Sequence, residues 1–110
     1  MEINILGNDY KIIVRKKQTK AMEKAGSVAQ IDKNREEITL ITQTEDGDKK
    51  RDKYILRDLA HEMAHAYLFE MGQEANDTEE FAEAVSVIVT DILYHKKYKD
   101  MFRIIREVKR

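Results

Sequence analysis

Cysteine, proline and tryptophan are all missing from the 110 residues of this chain. The missing thiols exclude disulfides, thiolate metal ligands and cysteine nucleophiles together, so any metal must be held by histidine and carboxylate. Without proline, punctuation falls to four glycines and to polar clusters. No long apolar run occurs, and the segment from Met1 to Gly7 carries an acidic residue where a leader would be basic. Neither a signal peptide nor a membrane anchor is therefore expected, and the protein reads as cytoplasmic. A charge excess is missing too: 20 basic against 21 acidic residues give a formal net charge of −1, which supplies no field for a general nucleic-acid partner. The basic stretch from Lys96 to Arg110 is the one local exception.

What is present suits one compact unit spanning 1–110, because 42% apolar residues can fill a core while 37% charged residues cover its surface. Ile3 and Ile5, then Tyr10, Ile12 and Val14, are apolar on alternate positions around Gly7-Asn8-Asp9, the pattern of a short hairpin. A short helix is expected within Lys16 to Lys24, ended by Gly26. Val28 to Ile31 and Ile38 to Thr42 flank the turn-forming run Asp32-Lys33-Asn34-Arg35 and predict a second hairpin, followed by an exposed loop from Thr44 to Lys50.

Two strong helices follow. Between Lys49 and Met71, Ile55, Leu59, Met63, Ala66 and Phe69 recur at intervals of three and four, with Gly72 as the stop. From Asp77 or Thr78, a good N-cap with acidic residues behind it opens a helix through Phe81, Ala84, Val85, Ile88 and Ile92, ending near His95. Met101, Ile104, Ile105 and Val108 predict a third, amphipathic helix that covers the core or a partner. Strands first and helices later make an α+β fold, a small N-terminal antiparallel sheet or pair of hairpins followed by helices.

The chemistry sits inside the first long helix, in His61-Glu62-Met63-Ala64-His65. Residues four apart on a helix stand one above the other, so His61 and His65 offer two imidazoles to one point, a zinc clamp. Glu62 is rotated about 100° from the first ligand, where it can reach a water at the metal without binding the metal itself. Zinc lowers the pKa of its water from about 15.7 toward 7 and polarises a carbonyl, while the carboxylate takes the proton and passes it to the leaving amine. With three histidines in the chain, shuffling would produce the motif in roughly one copy in two hundred.

A catalytic zinc site needs a third protein ligand and one open position. A metzincin would have a glycine three residues and a histidine six residues after His65, but Leu68 and Met71 stand there, which excludes that class. His95 at a helix end, and Glu79, Glu80 and Glu83 on the following helix, stay as candidates. That helix is apolar almost all round apart from a stripe of Glu79, Glu83, Ser86 and Thr90, whose small hydroxyls suit a semi-enclosed polar face.

The run Ala82-Glu83-Ala84-Val85-Ser86 resembles the glutamate helix of thermolysin-like gluzincins, and the whole-chain pattern is closer to the small ImmA/IrrE-type and phage-encoded minimal zincins. Gly26-Ser27-Val28-Ala29-Gln30-Ile31-Asp32 with Ile38-Thr39-Leu40 looks like their hairpin before the motif helix. The resemblance implies one zinc ion per chain held by His61, His65 and Glu83, with Glu62 as general base. It further implies a zinc endopeptidase acting on an intracellular protein or peptide, by analogy a phage or mobile-element repressor. Where the thermolysin pattern has an aspartate that braces a zinc histidine, Val87 stands, and Asp58 and Asp91 are the substitutes at hand. Tyr67, Tyr94 and His95 are available to hold an oxyanion, with nothing to choose among them. The rival reading is a zincin-fold protein-binding module with little or no turnover. Against a purely structural metal stand the absent fourth ligand and the intact Glu62.

Overall fold

The computed structural model describes residues 1–95 and 98–107. Strands β1 (Glu2–Ile5) and β2 (Asn8–Arg15) pair antiparallel through a two-residue turn in which Leu6 and Gly7 both take positive φ, as a tight hairpin requires. The short helix α1 (Lys20–Ala25) starts at Thr19, whose hydroxyl accepts the Met22 N–H, and stops at Gly26 in the left-handed region. Strands β3 (Ala29–Asp32) and β4 (Glu37–Ile41) form the second antiparallel hairpin, and the Asp32 side chain accepts the N–H groups of Asn34 and Arg35 in its turn.

The two hairpins join through a parallel pairing of β2 with β4, which gives one four-stranded sheet in the order β1-β2-β4-β3. The sequence pattern gave both hairpins but not this junction. It leaves β3 at the sheet edge, paired on one side only among the described residues.

Helix α2 (Asp52–Glu70) lies on one sheet face. Its stripe of Ile55, Leu59, Met63 and Ala66, spaced by four and three, packs with Ile5, Tyr10, Ile38 and Leu40 of the sheet. The Tyr10 hydroxyl and the Asn8 amide both donate to Glu70, fastening the end of α2 to the first hairpin. After a turn of 3-10 helix at Glu74–Asn76, α3 (Glu79–Tyr94) runs back along the other side of α2, so that α2 lies between sheet and α3. Small buried residues on both helices, Ala60 and Ala64 on α2 with Ala82 and Ser86 on α3, permit a close approach. Helix α4 (Tyr98–Glu107) follows and makes its few contacts with α3. The α+β reading holds. No helix among the described residues is long and apolar enough to cross a membrane.

Candidate metal centre

On α2 the sheet-facing stripe and the α3-facing stripe lie on opposite sides, and the residues between them open into a cleft. His61, His65, Glu62 and Asp58 occupy that intermediate strip. The cleft has a volume of about 680 Å³ and is walled by α2, by the segment 26–31 leading into β3, and by the start of α3.

The imidazoles of His61 and His65 sit 5.0 Å apart between ring centres. Across from them, the Thr78 hydroxyl caps α3 by accepting the Phe81 N–H, which fixes the neighbours on either side of the cap, Asp77 and Glu79, against α2. One Glu79 oxygen lies 2.9 Å from His61 Nε2, and the other lies 3.1 Å from His65 Nε2. Behind each ring stands a second carboxylate. Asp77 is 2.5 Å from His65 Nδ1, and Glu83 is 3.2 Å from His61 Nδ1. Lys33 steadies Asp77 at 3.2 Å, and Arg57 pairs with Glu83.

All four ring nitrogens therefore face carboxylate oxygens, whereas a neutral imidazole has one N–H to donate. If each Nδ1–H is given to the carboxylate behind it, the two Nε2 lone pairs are left pointing at Glu79. That is a repulsive arrangement unless each ring carries a second proton or one cation takes their place. A divalent ion satisfies both nitrogens and Glu79 at once, and a carboxylate holding the far nitrogen is the usual brace of a metal-binding histidine. His61, His65 and Glu79 thus form a group that could hold a metal ion, their ligand atoms lying within 4.8 Å of one another.

Electrostatics separate the carboxylates. Glu62 is 8% exposed, and burial pushes its carboxyl above the ordinary value of 4.5, more than the neighbouring histidines pull it down. A dication in the site would pull in the opposite direction. Burial also acts upward on Asp77, yet hydrogen bonds from His65 and Lys33 hold it below the ordinary range. The Arg57 guanidinium does the same for Glu83.

Sequence reasoning named His61, Glu62, His65 and Glu83, and all four line this cleft. The difference lies in Glu83. In place of meeting both Nε2 atoms it turns to Arg57 and to the back of His61, and Glu79 faces the two nitrogens. The cause is the stagger of the helices. They run antiparallel, so one turn along α3 from Glu79 to Glu83 moves back along α2 from the level of the two histidines toward Arg57. The expected braces also differ: Asp58 pairs with Lys50 and Asp91 is exposed, while Asp77 and Glu83 stand behind the histidines. Asp77 went unseen because its place before the helix reads as a cap. Tyr67, Tyr94 and His95 are outside the set of described residues that lines the cleft, and His95 ends α3 some 24 Å from Glu79 by helical rise.

No protein-family model, curated protein or solved structure matches the chain. Any class assignment must stand on the residues themselves.

Proposed function

We propose that the chain is a zinc-dependent metallopeptidase of the zincin type, hydrolysing a peptide bond in a protein or peptide held in extended form along the cleft. The observation that carries the reading is the position of Glu62, buried beside the two histidines that face Glu79 yet opening into the cleft and bound to neither. A structural metal site has no use for such a group. His61, His65 and Glu79 would hold the ion. When bound, zinc supplies Lewis-acid polarisation of the scissile carbonyl and acidifies the attacking water.

The chain's own residues do the rest. Glu62 takes the proton of the attacking water and delivers it to the leaving amine, and its burial raises its basicity for that task. Asp77 and Glu83 fix which ring nitrogen carries the proton and keep Nε2 free for the ion. The edge of β3, unpaired among the described residues, supports a peptide as substrate: an extended chain can add to it as a further strand, presenting one carbonyl to the site and alternate side chains to the walls. The repressor-type, intracellular substrate implied by the resemblance belongs to the same proposal.

The test is digestion of a mixture of unstructured peptides, read by mass spectrometry, with zinc content measured on the same samples. The wild type is expected to retain zinc and cleave, whereas Glu62→Gln retains zinc and loses cleavage by several orders of magnitude. Equal cleavage by both contradicts the role of Glu62. Zinc without cleavage in the wild type favours the binding-module reading.

A further inference from the structure

Helix α3 is built with its apolar face outward. Ser86 and Thr90 are buried against α2, while Phe81, Ile88 and Ile92 on the opposite side are 44%, 59% and 46% exposed. With Val85 these residues recur at spacings of four, three and four, the period of a helix-pairing seam. The face is therefore patterned for another helix.

The chain carries a helix of matching character. On α4, Ile104 and Ile105 are 59% and 54% exposed, and its ten residues span about 15 Å, close to the roughly 16 Å between Phe81 and Ile92. Charge is complementary as well. Glu80 and Asp91 are the acidic residues of α3 that do not line the cleft, and no Lys or Arg occurs from Glu79 to Tyr94, whereas α4 carries Lys99, Arg103 and Arg106 against Asp100 and Glu107. Nevertheless α4 does not lie along the seam of its own chain. The radius of gyration is 15.7 Å, where about 13 Å suits a compact chain of this length, and the long axis reaches 53 Å.

We propose that the outer face of α3 is the docking surface of a symmetric homodimer, in which α4 of each copy lies on the α3 seam of the other. The exchange is self-complementary and closes with two copies. Phe81, Ile88, Val89 and Ile92 with Ile104 and Ile105 expose on the order of 600 Å² of apolar surface per chain, and two such faces reach the roughly 1,200 Å² where stable interfaces begin before any polar rim is counted. Glu79 and Glu83 project from the other side of α3, so pairing leaves the cleft accessible, and the proposal stands whether or not the site is a peptidase.

Sedimentation equilibrium of the metal-free full chain is expected to give twice the 12.9 kDa chain mass. Ile88→Glu and Ile104→Glu, each with unchanged far-ultraviolet circular dichroism, are expected to sediment as monomers. The absence of native cysteine makes a second readout unambiguous. A mixture of Ile88→Cys chains and Ile104→Cys chains should yield the mixed disulfide dimer on mild oxidation. A monomeric wild type overturns the proposal. So does a double variant, Ile88→Cys with Ile104→Cys, that closes its disulfide within one chain, because α4 would then cover its own α3. A dimer indifferent to both glutamates also overturns it, since another surface would be responsible.

Discussion

The two faces of α3 carry inverted polarity. The inward face presents Glu79, Glu83, Ser86 and Thr90, and the outward face presents Phe81, Ile88 and Ile92. A helix that only stabilised the fold would do the reverse, since apolar area gains from burial and polar groups lose by it. Apart from Thr90, the polar groups of the inner face find partners. Glu79 and Glu83 meet the histidines and Arg57, and the Ser86 hydroxyl donates to the Glu83 carbonyl. Such an inversion is expected where one face serves a polar site and the other a partner.

The inward face can be tested residue by residue. Glu79→Ala should have the largest effect, weakening zinc binding by at least about 100-fold in a competition titration, because it removes a ligand and leaves two imidazoles. Glu83→Ala should weaken it by about 10-fold, as a brace does. If Glu83→Ala proves the more damaging of the two, the helices are staggered differently and Glu83 is the ligand.

How far these roles were legible in the sequence follows from the same helix. The motif on α2 was readable because its geometry is local: two histidines four apart share a face whatever surrounds them. The elements were readable from hydrophobic period, caps and glycine stops. By contrast, the parallel pairing of β2 with β4 joins residues far apart in the chain, and no local signal encodes it. Glu79 and Glu83 lie on one stripe a single turn apart. Choosing between them requires the offset of α3 against α2, set by the turn through Glu74–Asn76. The series Phe81, Val85, Ile88, Ile92 has the apolar period of a core face, while the hydroxyl stripe suits a semi-enclosed one. The buried Ser86 and Thr90 resolve that conflict in favour of the stripe.

A smaller effect concerns Thr90, whose buried hydroxyl oxygen is without a hydrogen-bond partner among the described residues. Thr90→Val keeps the shape and removes the unsatisfied group, so it should raise stability by about 1 kcal/mol in urea unfolding. A loss of that size would mean the hydroxyl is bonded in solution. Asp77 gives the smallest and most conditional effect, in metal-free protein. Its carboxyl is held below the ordinary 3.8, so its stabilising contribution is present above that pH and is lost as pH falls through the lower folded value. Asp77→Asn should therefore cost stability at pH 7, and the difference from wild type should shrink toward pH 3. A pH-independent difference would mean that Asp77 acts through shape alone.

Whether His61, His65 and Glu79 share one zinc ion is read from zinc-edge anomalous diffraction of crystals grown with zinc. A single anomalous peak is expected, with Nε2 of both histidines and one Glu79 oxygen at about 2.0–2.2 Å and Asp77 and Glu83 remaining on the Nδ1 atoms. A peak bound by Glu83 with Glu79 turned to solvent, or no peak between the two histidines, would contradict it.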